Sequence, residues 1–220
     1  MSIQKNLLEI QSKLSEDVVL IAVSKTKPIS ALEEAYRAGQ RVFGENKVQE
    51  MVEKWQALPK DIHWHMIGHV QRNKIKYMAE FVELIHGVDS IKTLKEINKQ
   101  ALKHNRKISV LLQVKIAREK SKFGIPLEEL EDFMSNIKTL ELDNVNFQGF
   151  MGMASNDPSQ DIVREEFSIL KQLYDQYKKE FTTFEYLSMG MSGDYLLALD
   201  QGSNMIRVGS AIFGLRNYSI

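Results

Sequence analysis

The sequence predicts an α/β fold, a single-domain (β/α)8 TIM barrel over residues 1–220, from three observations. Eight short apolar runs alternate with helix-like segments at roughly even spacing. No hairpin signal separates neighbouring runs, so the strands are expected to be parallel and joined by helical crossovers. Eight such units close a barrel, and 220 residues lie near the low end of that fold's range of about 200 to over 400. The competing doubly wound open sheet would carry a glycine-rich turn after its first strand, and Lys25-Thr26-Lys27-Pro28 is unlike one. No low-complexity linker, composition shift or internal repeat divides the chain.

Each element has a local reason. Residues 2–15 place Ile3, Leu7, Ile10 and Leu14 on one helical stripe. The first strand, 18–23, is a continuous apolar run, as expected of a strand covered on both faces. Pro28 limits its extension, and a helix over 30–39 follows, with Ser30 as N-cap and Gly39 as the C′ residue. Strand two is 41–43 and ends in Gly44-Glu45-Asn46. Its helix carries Val48, Met51, Val52 and Trp55 and stops before Pro59. Strand three spans 62–67, then a Lys- and Arg-rich helix covers 71–79. Strand four is 81–86 with a helix at 90–104. Strand five, 108–116, is the longest apolar run, and its helix starts near Pro126. Strand six is 145–151; after the turn-like Ser155-Asn156-Asp157-Pro158 comes a long helix at 159–180. Strand seven is 184–188, followed by a helix at 193–202. Strand eight is 205–208, and 210–214 closes the series.

Composition narrows the functional classes. Hydrophobic residues make up 43% and charged residues 26%, ordinary values for a globular protein. The formal net charge is zero, so nothing points to a nucleic-acid or membrane surface. There is no cysteine, which excludes disulfides, thiolate metal sites and cysteine nucleophiles. The start reads as an amphipathic helix rather than an apolar signal core, and no apolar run approaches membrane-spanning length. The expected location is the cytoplasm.

Chemistry in such a barrel belongs at the carboxyl ends of the strands. Lys25 stands there, after strand one. It is either a solvated strand-end charge or a nucleophilic amine able to condense with a carbonyl. The second role requires a neutral amine, favoured by desolvation or by a nearby positive charge such as Lys27. Phosphate commonly binds at the loops after strands seven and eight. Those loops are Met189-Gly190-Met191-Ser192-Gly193 and Gly209-Ser210, which offer glycines, hydroxyls and free N–H groups, or simply tight turns. Arg207 lies inside an apolar strand, so it is either in a structural ion pair or a donor to a ligand deep in the barrel. Asn46 is a helix cap or a ligand contact, the cap being the simpler reading. His63 and His65 share one face of strand three, opposite Trp64 and Met66. A His-x-His pair without further ligands is a weak zinc signal, and core histidines are the expectation. Gln71-Arg72-Asn73-Lys74 and Lys122 are either solvated charges or site cations.

Taken together, these segments resemble one family. Ala22-Val23-Ser24-Lys25-Thr26-Lys27-Pro28, Phe43-Gly44-Glu45-Asn46, Trp64-His65-Met66-Ile67-Gly68, Gln71-Arg72-Asn73-Lys74, Ser188-Met189-Gly190-Met191-Ser192-Gly193-Asp194 and Arg207-Val208-Gly209-Ser210-Ala211-Ile212-Phe213-Gly214 are similar, in order, to the blocks of the YggS/PROSC family. These are pyridoxal 5′-phosphate homeostasis proteins, built as a barrel like the amino-terminal domain of alanine racemase. The resemblance spans nearly the whole chain. It implies that Lys25 forms a Schiff base with pyridoxal phosphate, that Ser192, Gly209 and Ser210 hold the phosphate, that Arg207 faces the pyridine nitrogen, and that Asn46 lies near the cofactor. Met66, Arg72, Asn204 and Val208 depart from common family residues, and Ser210 often appears as threonine, which keeps the hydroxyl.

The function implied is binding and buffering of pyridoxal phosphate without substantial turnover, with no metal and no catalytic residue. Racemases need a second base, supplied in alanine racemase-like enzymes by a carboxyl-terminal domain, and this sequence ends about six residues after its final Phe-Gly. An arginine at the ring nitrogen is a donor only, which makes the ring a weak electron sink. The alternative is a pyridoxal phosphate-dependent amino-acid racemase with Lys25 as one base and Lys27, His65 or a tyrosine as the other. A metal hydrolase built on His63 and His65 is more remote. Expected partners are pyridoxal phosphate and, by extension, apo-enzymes that depend on it; the family suggests a monomer or weak dimer.

Overall fold

The computed structural model describes residues 2–119 and 122–214. Eight parallel strands close into a barrel: β1 (Val19–Val23), β2 (Val42–Glu45), β3 (His63–Met66), β4 (Leu84–Val88), β5 (Ile108–Lys115), β6 (Val145–Met151), β7 (Tyr186–Met191) and β8 (Met205–Val208). Consecutive strands are neighbours, β4 pairs with β5, and β8 returns to β1 with Ile21 opposite Arg207. Helices α1 (Ile3–Gln11), α2 (Ile29–Arg37), α3 (Val48–Ala57), α4 (Ile91–Lys103), α5 (Leu130–Lys138), α6 (Gln160–Lys178), α7 (Tyr195–Asp200) and α8 (Ser210–Phe213) accompany them. The expected (β/α)8 barrel is the observed fold.

Alternation along the strands sorts residues into two cores. Leu20 and Ala22 of β1, Phe43 of β2, Trp64 and Met66 of β3 and Phe150 of β6 pack outward beneath the helices. Ile21, Leu84, Leu111, Met151 and Met205 point inward and fill the barrel axis, with Val19, Val42, Met153 and Tyr186 packed against them. The barrel is thus plugged by side chains below the ends that carry the site.

Several boundaries differ from the sequence reading. A 3-10 helix, Arg72–Tyr77, stands where an α-helix over 71–79 was expected. Its apolar anchors, Ile75 and Met78, are three residues apart and both buried, which suits three residues per turn. β4 starts at Leu84 rather than 81, because the N–H groups of Phe81 and Val82 turn back onto Met78 O and Phe81 stacks on Trp55. α2 begins at Ile29 with Pro28 at its cap, so Ser30 is not the cap; Gly39 does take the left-handed conformation, φ 99°. Pro126 pairs with the end of β5 in a two-residue strand before a 3-10 turn, and α5 starts only at Leu130. β7 runs to Met191, so Met189-Gly190-Met191 is strand and not loop.

Gly149 is required where β6 slips register against β5, between the pairs Val110–Phe147 and Leu111–Gly149. Its φ is 138°, and a Cβ there would lie 1.9 Å from Tyr186 O of the neighbouring strand. Gly149→Ala is expected to lower the unfolding free energy by about 3 kcal/mol or more, read by urea denaturation. A loss under about 1 kcal/mol would mean that β6 and β7 can shift apart.

Candidate functional site

The carboxyl ends of β1, β2, β7 and β8 surround a cavity of about 590 Å³. All six residues singled out from the sequence line it: Lys25, Asn46, Ser192, Arg207, Gly209 and Ser210. Lys27, Val23, Ile67, Met153 and Met191 add to the wall. Cations, hydroxyls and backbone N–H groups therefore converge on a mostly apolar recess, the usual build of a small-ligand site.

Lys25 shares the inward parity of Ile21 and Val23, which carries it from the plugged axis to the cavity. The chain turns sharply after it. Lys27 N–H donates to Ser24 O at 3.0 Å, and Thr26 takes φ 63°, unusual for a β-branched residue. Lys27 Nζ donates to Phe213 O and Gly214 O, at 3.0 and 3.1 Å, where it caps the end of α8. Asn46 is not a helix cap. α3 starts at Val48 with Lys47 as N-cap and no side-chain cap bond, which leaves Asn46 facing the cavity. Gly68 makes this possible: a Cβ there would fall 2.6 Å from Asn46 O.

The loops after β7 and β8 are joined at one atom. Ser192 Oγ accepts from Gly209 N–H at 3.1 Å and from Ala211 N–H at 3.5 Å. Asp194 Oδ1 in turn accepts from Met191 N–H at 2.5 Å and fixes the preceding turn. A hydroxyl and the amides that open α8 thus lie side by side, a donor set that suits a phosphate.

Arg207 stands on the inner face of β8 and is 4% exposed. Its partners are neutral: Nη1 donates to Ser188 Oγ at 2.6 Å and Nη2 to Gly152 O at 2.9 Å. Ser188 Oγ lies 3.1 Å from His86 Nδ1, and His86 Nε2 lies 3.1 Å from His65 Nδ1. A chain Arg207–Ser188–His86–His65 therefore crosses the barrel beneath the cavity. Burial, with His63 adding repulsion, drives His65 down to about 3. Burial and the neighbouring His65 and Arg207 hold His86 well below the usual histidine range. Both rings are neutral. Burial also lowers Arg207 to about 10, which leaves it fully charged at neutral pH.

Other expectations fare differently. His65 is a core histidine, but its partner is His86 and not His63, which is exposed and lies 4.0 Å from the Glu83 carboxylate. Among the described residues no group of three His, Cys, Asp or Glu could hold a metal ion. Lys122 pairs with Glu119 at 3.2 Å and does not line the cavity; Ser121 beside it lies outside the described residues. Arg72 and Lys74 lie on the 3-10 helix away from the cavity. No helix among the described residues is long and apolar enough to cross a membrane.

Four polar residues have no role assigned from the sequence, although Glu45 and Ser188 stand within its motif segments: His86, Ser188, Glu45 and Lys54. All four are buried. Lys54 could have been found, because it sits three residues after buried Met51 and four before buried Leu58 on the apolar stripe of α3.

Comparison with known proteins agrees with this geometry. The family model described as alanine racemase, N-terminal domain, matches residues 1–217. A pyridoxal phosphate homeostasis protein of Vibrio alginolyticus is 38% identical over 233 residues, which covers 99% of both chains. The chain belongs to the pyridoxal phosphate homeostasis branch of that family. Among solved structures, PipY of Synechococcus elongatus PCC7942 without PLP superposes with a TM-score of 0.89 at 34% identity, over 97% of this chain and 100% of that one. The same protein with PLP bound gives 0.87 at 33%. An alanine racemase of Clostridium difficile 630 shares the fold, with a TM-score of 0.82 at 15% identity, and this chain spans 60% of its length. Members of this family with close sequence likeness thus match the chain from end to end, whereas the racemase matches by fold alone.

Proposed function

We propose that this chain binds pyridoxal 5′-phosphate in the cavity at the strand ends and serves its homeostasis, holding and releasing the cofactor without substantial turnover. The observation that carries the reading is the convergence of a strand-end lysine, a buried donor-only arginine and a hydroxyl–amide cradle on one cavity. That donor set fits the group. Lys25 offers the amine for its aldehyde, Arg207 a donor for its ring nitrogen, and Ser192, Gly209 and Ser210 the phosphate cradle. Asn46 lies on the wall between Lys25 and the β3 loop. When bound, the cofactor supplies an aldehyde that condenses with amines and a ring that can accept electrons. The residues of this chain restrain the second property. Arg207 is charged and has no proton acceptor to offer, so a ring nitrogen facing it stays unprotonated. The neutral His86 and His65 behind it add no charge. Relatives named homeostasis proteins, and PipY with PLP bound, support the same reading. We further infer one cofactor-binding domain over 1–220, a cytoplasmic location, a monomer or weak dimer, and PLP-dependent apo-enzymes as recipients.

The test is borohydride reduction of the PLP-loaded protein followed by peptide mass analysis. Wild type should carry the reduced cofactor on Lys25. Lys25→Ala should carry none, and should lose the absorption of the bound cofactor on gel filtration. Label retained on another residue in Lys25→Ala would overturn the assignment. Robust exchange of the α-proton of free amino acids above the rate of cofactor alone would overturn the carrier reading in favour of a racemase.

A further inference from the structure

Behind β1, on the face turned away from the cavity, lies a buried ionic cluster that the proposed reaction does not use. Lys54 of α3 and Glu45 at the end of β2 are 4% and 0% exposed. Lys54 Nζ donates to Glu45 Oε1 at 2.7 Å, to Glu50 Oε1 at 2.8 Å and to the backbone carbonyl of Ser24 at 2.7 Å. Ser24 Oγ donates to Glu45 Oε1 at 2.6 Å, and Glu50 Oε1 accepts from Thr26 N–H at 2.5 Å. The cluster thus holds the residue before Lys25 by carbonyl and hydroxyl, and the residue after it by its amide.

Such a cluster is costly. Two buried charges lose their hydration, and replacing a buried ion pair by apolar residues is often neutral or stabilising. Glu45 Oε2 is buried with no hydrogen-bond partner among the described residues, and burial pushes the Glu45 carboxyl up. Thr26 holds a left-handed backbone that is strained for a β-branched residue and persists only where surroundings over-determine it. Expense of this kind placed around a single residue calls for a purpose beyond packing.

We propose that Glu45, Lys54 and Glu50 are positioning residues for Lys25, clamping the chain on both sides of it so that its amine is aimed into the cavity. The inference rests on the reading that Lys25 bonds the cofactor. In that bond Lys25 Nζ gives its lone pair to the aldehyde carbon, a C=N bond forms, and the aldehyde oxygen leaves as water with the two amine protons. Direction of the lone pair decides how readily this happens. The phosphate cradle is bonded through Ser192 and the amides of Gly209 and Ala211, and no side chain of the clamp takes part in those bonds.

The clamp therefore predicts a split between covalent and non-covalent binding. Glu50→Ala removes the acceptor for Thr26 N–H from a partly exposed position, and Lys54→Met removes the central cation. Both are compared with wild type for affinity to pyridoxal phosphate and to pyridoxine 5′-phosphate, which has an alcohol in place of the aldehyde. Leu142→Ala, a core change at the opposite end of the barrel, controls for lost stability. The expected result is an affinity for pyridoxal phosphate about tenfold lower in Glu50→Ala, a smaller borohydride-fixed fraction, and faster hydrogen exchange at the Thr26 amide of the cofactor-free protein. Pyridoxine 5′-phosphate should bind within twofold of wild type, and Leu142→Ala should show no split. Should Lys54→Met fail to fold, Glu50→Ala decides alone. Unchanged pyridoxal phosphate affinity and fixed fraction in folded Glu50→Ala would overturn the inference, as would equal losses for both ligands. A borohydride label that survives in Lys25→Ala would instead defeat the underlying reading.

Discussion

Arg207→Met should weaken pyridoxal phosphate binding by roughly 10- to 100-fold while leaving the cofactor-free protein at least as stable as wild type. Hydrogen bonds to a charged group contribute about 1.5–3 kcal/mol, which sets the size of the binding loss. The stability half of the expectation follows from burial. Arg207 is 4% exposed and both its partners are neutral, a serine hydroxyl and a backbone carbonyl. Among the described residues Arg207 makes no ion pair, and the attraction of Asp194 only partly offsets the lost hydration, so an apolar side chain of similar length relieves a cost. Ser188 keeps its bond to His86 in the variant. Fluorescence titration with pyridoxal phosphate and urea denaturation of the apoprotein read the two halves. Unchanged affinity would remove Arg207 from the site, and a fall in stability would show that it is a structural residue first.

Acid should destabilise the protein earlier than ordinary carboxylates explain. His65 is held at about 3 against 6.5 for an unhindered ring, and His86 is depressed as well. Below pH 6.5 the unfolded chain takes up protons that the folded rings refuse. Their contribution is complete above pH 6.5 and is lost as pH falls toward 3. Each neutral histidine then weakens the fold further with every unit of acid. His65 alone accounts for about 5 kcal/mol across its window. Glu45 and Asp89, both raised by burial, act in the opposite sense, gaining stability as pH falls toward their ordinary values. Urea midpoints between pH 7.5 and 4.5 test this, with His65→Phe expected to flatten the profile. A stability that stays level from pH 7 to 5 would mean that the rings are hydrated.

The barrel and its mouth were legible because they depend on patterns that sequence carries directly. Strand–helix alternation gave the topology, and strand-end position brought Lys25, Asn46, Ser192, Arg207, Gly209 and Ser210 to one cavity. What stayed hidden depends on pairing across the fold. His86 and Ser188 are unremarkable on their own strands, and only closure of the barrel sets them between His65 and Arg207. The partner of His65 was sought two residues away in His63 and stands 21 residues on. The pairing of Glu45 with Lys54 is hidden because the helix that covers β1 and β2 cannot be docked from sequence. Element ends differ for local reasons: the Lys- and Arg-rich stretch expected as a helix over 71–79 winds as a 3-10 helix over Arg72–Tyr77, and β7 continues through Met189-Gly190-Met191, which reads as a loop because of its glycine.

The plug of Ile21, Leu84, Leu111, Met151 and Met205 has a consequence for traffic. It seals the barrel axis from below, so arrival and departure share one doorway. Under the proposed function, a recipient of the cofactor has to come to the same rim that admitted it, and cannot draw it through from behind. Loading and delivery are then mutually exclusive at any instant, and a macromolecule seated over that rim would block reloading until it left.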